Sequence, residues 1–289
     1  MSETTAATTY DPVKGFGRVR ADLHAAWEAE TAAGGSEAAM VADLEVVWSA
    51  LIKAAYEPIK DFDGLLAKVD LSTEPSTMKV DLLGLAGRER DEKCHTRVIA
   101  SLMTYSHTGN LGVALLRAFL SAAGVATDDW PDEVLAKAEV WAEREQSLRG
   151  RSIRPDIIVR LGEGDRSLLV VIENKVDAKD RQKQLDDYAE WAEAQQDFRE
   201  TERIYLTPTG ASPSMLKGKL PWHPMSYARL ATAWRKVLAG SGSPGPSSEA
   251  LRLYLGTITR HVSRMKLGPN LERSEKLRLL DYLRAASGG

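Results

Sequence analysis

Two short runs of branched apolar residues, Ile157-Ile158-Val159 and Leu168-Leu169-Val170-Val171-Ile172, stand close together in mid-chain with Gly162-Glu163-Gly164-Asp165 between them. Branched side chains suit a pleated surface and the glycine-rich stretch suits a tight turn, so the pair predicts two neighbouring strands. Each run carries acid at one end: Pro155-Asp156 opens the first, and Glu173-Asn174-Lys175 closes the second. Adjacent strands lie about 4.8 Å apart, so Asp156 and Glu173 are expected near one another, with Lys175 two residues along on the same face. Two converging carboxylates repel unless a divalent cation sits between them, and oxygen ligands favour magnesium or manganese. The lysine would then stand beside water held on that cation.

After Lys175 the loop Val176-Asp177-Ala178-Lys179-Asp180 leads into a helical pattern reaching about Gln196. Gln184 and Tyr188, four apart, share one helix face, and Trp191 and Gln195 continue the stripe. Each motif alone also has an ordinary reading. Asp156 suits a strand start after Pro155, Glu173 and Lys175 suit an exposed ion pair worth at most ~1 kcal/mol, and Gln184, Tyr188 and Trp191 suit a packing stripe. Their order along the chain favours one site.

The series Arg154-Pro155-Asp156, Ile172-Glu173-Asn174-Lys175 and Gln184-x-x-x-Tyr188 resembles the PD-(D/E)XK nuclease superfamily. More narrowly it is similar to a bacterial branch in which an E-N-K strand end precedes a Q-L-x-x-Y helix. Glu92-x-x-His95-Thr96, Gly109-Asn110-Leu111-Gly112 and Tyr205-Leu206-Thr207-Pro208-Thr209-Gly210 fit that branch in order, so the resemblance runs from about Glu89 to Val262. It implies an α/β, restriction-endonuclease-like core: a mixed central β-sheet flanked by helices. It also implies Asp156 and Glu173 as metal-binding carboxylates, the Asn174 carbonyl as a backbone ligand, and Mg2+ or Mn2+ as cofactor. Lys175 would orient or deprotonate the attacking water, or stabilise the phosphate as charge builds. Gln184 would hold the water or an oxygen on the cation. Tyr188 would brace a phosphate or pack against the strand, and Arg154 is a second candidate nucleic-acid contact.

A further acidic ligand is expected upstream. The candidates are Glu145 and Glu143, on a strand read over Glu139 to Gln146, and Glu92 at the head of an earlier helix. Alternation puts Glu143 and Glu145 on one face with Trp141, opposite Val140 and Ala142, and Glu145 is preferred as nearer the strand end. His95 and His107 are read as structural, since neither has metal-ligand spacing with a second His or Cys. This residue set suits phosphodiester hydrolysis, in which water must lose a proton near neutral pH while the phosphate oxygens and leaving alkoxide gain charge. A carboxylate-bound metal serves both needs, and lysine is a mobile cation able to follow the water.

The 289 residues hold one cysteine, Cys94, so no intrachain disulfide forms and a reducing, cytoplasmic setting is expected. No apolar stretch reaches the roughly 20 residues needed to cross a bilayer, and Met1 to Tyr10 lacks the regions of a secretory signal. The net charge of −3 argues against a general polycation, while Arg149, Arg151 and Arg154 form one local basic cluster and Leu251 to Arg284 another. No Walker-type phosphate loop occurs, so any ATP-driven activity would come from a partner.

Residues 1–14 are expected to fray and 15–88 to be helical, with Phe16 to Ala33 and Glu37 to Ile59 as a hairpin that could dimerise, dock a partner or cover the core. The nuclease core is placed at 89–239, a Gly/Ser/Pro linker at 240–248 and further helices at 249–289. The composite expectation is a metal-dependent nuclease acting on DNA, in restriction or phage defence. A non-catalytic nucleic-acid-binding module and a nuclease subunit of a larger defence complex remain open.

Overall fold

The apolar runs pair as expected. The computed structural model describes residues 62–66, 74–127, 129–177, 183–213, 220–241, 245–263, 265, 271 and 273–286. Among these the strands are β1 (Glu139–Ala142), β2 (Gln146–Leu148), β3 (Arg151–Ile153), β4 (Ile157–Glu163), β5 (Arg166–Asn174), β6 (Glu200–Thr207) and β7 (His223–Ser226). Five of them form a mixed sheet in the order β1-β4-β5-β6-β7, antiparallel through β5 and parallel from β5 to β7. The chain is therefore α/β, with a mixed central sheet flanked by helices.

The β4–β5 turn depends on glycine. Gly162 has φ 68°, and a Cβ there would lie 2.0 Å from the Arg166 carbonyl oxygen and 2.8 Å from the Trp130 ring. The resulting register sets Ile157 opposite Ile172, and thereby brings Asp156 level with Glu173. Every residue of β5 from Ser167 to Asn174 is buried, as befits a central strand covered on both faces.

The α-helices are α1 (Phe62–Leu66), α2 (Glu92–Leu102), α3 (Tyr105–Thr108), α4 (Asn110–Ala123), α5 (Asp132–Ala136), α6 (Gln184–Glu193), α7 (Tyr227–Gly240), α8 (Pro246–Thr257) and α9 (Arg273–Ala286), with short 3-10 turns at Pro75–Thr77 and Gly84–Ala86 and a π-helical turn at Ile258–Val262. On one face of the sheet Ile158, Leu169, Val171 and Tyr205 pack with Leu185, Tyr188, Trp191 and Ala192 of α6 and with Leu148 and Ile153 of the β2–β3 ribbon. Helices α2, α4 and α7 serve the other face. There Trp234 of α7, fully buried, donates its indole N–H to the Leu115 carbonyl of α4 at 3.0 Å.

Two buried carboxylates tie the approach to α2 into this layer. Glu74 accepts from the Tyr282 hydroxyl at 2.8 Å and from Arg235 at 3.0 Å. Asp81 accepts from Thr257, the Gly84 amide, Arg260 and His261 at 2.8 to 3.0 Å. Both charges are thus fully bonded, which is what burial of a carboxylate requires.

Three boundaries differ from the sequence reading. The strand expected over Glu139 to Gln146 ends at Ala142, because Glu143 turns to φ 50°. Glu143 and Glu145 therefore do not share a strand face with Trp141. The chain instead forms the β2–β3 ribbon around a two-residue turn in which Arg149 has φ 49° and Gly150 φ 75°. Its three-residue strands of Gln, Ser, Leu, Arg and Ile carry no alternation long enough to read. The segment 240–248 is also shorter as a link than expected, since α7 runs through Gly240 and α8 starts at Pro246, pre-set for a first helical position.

The chain divides into a larger unit, residues 67–269 and 281–289, which contains the whole sheet, and a smaller one, residues 1–66 and 270–280. In the smaller unit Phe62 is buried, with the Lys276 ammonium 5.2 Å from its ring centre. Residues 1–14, expected to fray, and the hairpin expected over Phe16 to Ile59 lie outside the described residues. No helix among the described residues is long and apolar enough to cross a membrane.

The contrast between two turn glycines is measurable. Gly162→Ala is expected to cost about 2 kcal/mol or more in urea or thermal unfolding, because it adds both a clash and a strained φ. Gly164→Asn is expected to stay within ~1 kcal/mol, because space is open at its φ of 59° and Asn tolerates that region.

Candidate active site

Asp156 and Glu173 meet at the end of the β4–β5 ladder, on the α6 face of the sheet. The Asn174 backbone N–H donates to Asp156 Oδ2 at 2.8 Å, which fixes the aspartate against the end of β5. Lys175 Nζ lies 2.5 Å from Glu173 Oε1, with its side chain 11% exposed. That contact is off the hydrogen-bonding direction. Both Glu173 oxygens are consequently buried without a hydrogen-bond partner, and no other carboxylate among the described residues has both oxygens in that condition.

The electrostatics follow from this crowding. Burial first, and then the charge of Asp156, push the Glu173 carboxyl up to about 8. Burial likewise raises Asp156 to about 6, against the bond from the Asn174 amide and the charge of Lys175, which pull it down. For Lys175 burial alone would lower the value, but the charge and contact of Glu173, with Glu92 and Asp156 behind it, hold the ammonium above its usual range. Two carboxyls that resist ionising together, beside one cation, leave room for more positive charge.

The strand end is clamped from the opposite face. Asn174 points away from Glu173, and its side chain is fully used: Oδ1 accepts from the Tyr227 hydroxyl at 2.6 Å, and Nδ2 donates to the Glu92 carbonyl at 3.2 Å and Thr96 Oγ1 at 3.1 Å. Glu92 Oε2 accepts the Val176 amide at 3.1 Å. The entry of α2 is itself set by its cap, Asp91, which accepts from the Cys94 amide at 3.1 Å. The first turn of α2 therefore grips the backbone on both sides of Lys175. Buried His95 bridges Tyr254, at 2.9 Å, and the Glu89 carbonyl, at 2.9 Å; burial lowers its pKa, so it serves as a neutral structural link, as its spacing implied.

Of the expected residues, the structure gathers Asp156, Glu173 and Lys175, and brings Glu92 to their edge. Glu145 does not join them. It turns to Ser152 Oγ at 2.6 Å and Arg154 at 3.4 Å on the exposed ribbon. Glu143 is held by Arg97 at 2.8 Å. Gln184 donates to the Tyr188 hydroxyl at 3.0 Å, and Tyr188, buried under the sheet, donates to the Arg154 carbonyl at 2.7 Å. Tyr188 thus packs against the sheet and braces the peptide that leads into Pro155-Asp156. Among the described residues no three His, Cys, Asp or Glu side chains close on one point; Glu92 stands at the edge, with its Oε2 accepting the Val176 amide. Sequence reasoning missed Tyr227 and Thr96, whose bonds to Asn174 span 53 and 78 residues and leave no local signal.

A hard divalent cation fits this donor set. All the free donors are carboxylate oxygens, and a positive ion between Asp156 and Glu173 would occupy the lone pairs that no protein donor reaches. An acidic pair with a lysine at the open end of a mixed sheet defines a class of phosphodiester-cleaving proteins. The family model described as the PD-(D/E)XK nuclease superfamily matches residues 80–255, and the chain belongs to that superfamily. Nucleases of this superfamily generally use divalent metals. Comparison with the curated proteins and with the solved structures found no match.

The raised Glu173 carboxyl has a consequence for stability. The folded chain holds that proton to higher pH than the unfolded chain, so without divalent metal the fold loses stability as pH rises from about 4.5 toward 8. Glu173→Gln removes the ionisation. In chelator its melting temperature relative to wild type is expected to rise between pH 5 and pH 9 by ~3 °C or more, the shift that ~1 kcal/mol produces in a domain of this size. A pH-independent difference would mean that Glu173 ionises freely.

Proposed function

We propose that the protein is a divalent-metal-dependent nuclease that hydrolyses phosphodiester bonds in DNA. The observation that supports this most directly is the buried Glu173 carboxylate, whose two oxygens lack hydrogen-bond partners and which stands beside Asp156 with Lys175 in contact. The two other fully buried acids among the described residues, Glu74 and Asp81, are bonded by several donors each. A buried carboxyl that has Lys175 alone to offset its charge, beside a second carboxyl, is costly to ionise, and its retention here is understandable as a ligand for a divalent cation.

In this reading Asp156, Glu173 and the Asn174 carbonyl hold the metal, and Glu92 is the further carboxylate in place of Glu145. Magnesium or manganese, when bound, supplies acidification of water and neutralises charge on the phosphate. Lys175 exchanges its contact with Glu173 for the attacking water or a phosphate oxygen, reaching either because its stem rises from the same strand face. Asn174, through Tyr227, Thr96 and Glu92, keeps Glu173 and Lys175 at fixed height above the sheet. Tyr188 does the same for Asp156 through the Arg154 carbonyl, with Gln184 orienting the phenol. Gln184 and Tyr188 are accordingly positioning residues, and the direct substrate contact considered for Tyr188 gives way to this role.

The deciding experiment compares wild type with Lys175→Ala and Asp156→Ala on plasmid, linear duplex, single-stranded DNA and RNA, in magnesium, manganese or chelator. Cutting of DNA by wild type in metal alone is expected, with both variants reduced at least about a hundredfold, the scale of losing one charge-stabilising group. Circular dichroism should show both folded. Wild-type rates from either variant would end the proposal.

A subtler variant tests the bracing. Tyr188→Phe deletes the bond to the Arg154 carbonyl and leaves the ring in place. Single-turnover cleavage is expected to slow by about tenfold and half-saturation to need more magnesium, as for other groups that orient metal ligands. Stability should fall by only ~1 kcal/mol. An unchanged magnesium dependence would reduce Tyr188 to packing alone.

A further inference from the structure

We infer that Arg144, stacked on Trp141, is a docking point for a phosphate of the DNA strand that neighbours the one being cut. This rests on the nuclease reading above and adds a substrate contact to it.

Three observations carry it. The first is place. Trp141 of β1 pairs with Ile158, two residues along β4 from Asp156, and alternation puts all three on the same sheet face. The Glu143 amide donates to the Asp156 carbonyl at 2.8 Å, so Arg144 follows directly on a backbone joined to the site. One strand spacing across and two residues along put Trp141 roughly 8 Å from Asp156. A DNA strand presents a phosphate about every 3.4 Å along the helix axis, so a strand reacting at Asp156 has further phosphates within that reach.

The second is order. The Arg144 guanidinium carbon lies 3.7 Å from the Trp141 ring centre, a stacked contact. Stacking fixes the plane of a side chain that is otherwise rich in rotamers, so less freedom is lost when its fork of donors meets a phosphate. Trp141 also has Arg160 at 5.1 Å, so the ring does not depend on Arg144 for a cationic neighbour.

The third is charge. Four other arginines around the site are neutralised: Arg97 by Glu143, Arg149 by Glu190 at 2.7 Å, Arg151 by Asp187 at 3.1 Å and Arg154 by Glu145. Arg160 has no carboxylate partner either, but its Nε is buried between the Trp141 and Phe198 rings rather than presented to solvent. Arg144 has no carboxylate partner among the described residues. Both acids flanking it in sequence are engaged elsewhere, Glu143 with Arg97 and Lys93, and Glu145 with Ser152 and Arg154. An exposed, oriented and unneutralised guanidinium beside the acidic pair suits an anion from the substrate.

The test measures binding of a short fluorescent DNA duplex by anisotropy across a salt series, in magnesium and in the cleavage-impaired Lys175→Ala background. Adding Arg144→Ala is expected to weaken binding five- to tenfold and to flatten the plot of log affinity against log salt by about one unit, the signature of one lost phosphate contact. Arg144→Lys should recover only part of the affinity, since an ammonium keeps the charge without the stacked fork. In the active enzyme Arg144→Ala should raise KM with kcat within about twofold. Arg149→Ala removes the same unit charge from a neutralised pair and should leave the slope unchanged. Equal effects from Arg149→Ala and Arg144→Ala, or an Arg144→Ala slope equal to that of its parent, overturn the docking point while leaving the nuclease reading intact. A wild type that neither binds nor cuts DNA removes the nuclease reading itself, and the docking point with it.

Discussion

The antiparallel ladder of β4 on β5 is the constraint from which the rest of the site follows. It sets Asp156 level with Glu173, and because the side-chain period of a strand is two, a slip of one residue would turn one of the two carboxylates to the opposite face of the sheet and part the pair. Gly162 makes that register possible, since its backbone passes too close to Arg166 and Trp130 for any side chain. The parallel pairing of β5 with β6, in which Glu173 lies beside Tyr205 and the Lys175 backbone N–H donates to the Leu206 carbonyl at 2.8 Å, keeps the strand end fixed past its last paired residue.

The molecule treats its buried acids in two ways. Glu74 and Asp81 are surrounded by donors and act as pins between the segment before α2 and the C-terminal helices. Glu173 is buried just as deeply, yet its one close cation, Lys175, meets it off axis. The first arrangement recovers the cost of burying charge and the second leaves part of it unrecovered. Local departures of this kind, in an otherwise consistent fold, concentrate where a protein binds or reacts.

The two faces of the sheet divide the labour. The α6 face presents the carboxylates and the lysine and supports them with an apolar cluster in which Tyr188, itself accepting from Gln184, donates to the Arg154 carbonyl. The opposite face holds the strand end by Asn174, whose amide is satisfied by α2 and α7 together. Asn174 is thus the pivot between them: its backbone N–H orients Asp156, and its side chain anchors the peptide that carries Glu173 and Lys175.

Much of this was legible in the chain. Branched runs bounded by glycine and acid specify β4 and β5, and strand period alone places Asp156, Glu173 and Lys175 on one face, because that geometry depends on near neighbours. The Gln184 and Tyr188 pair was likewise visible from helical spacing, although its use as a brace was not. Only the tertiary structure decided that Glu145 turns to the ribbon while Glu92 stands at the edge of the carboxylate pair, that the β2–β3 ribbon exists, that Tyr227 and Thr96 hold Asn174, and that Arg144 is left unneutralised. Those outcomes turn on contacts between residues tens of positions apart, or on a single left-handed residue such as Glu143, and neither leaves a periodic trace in the order of amino acids.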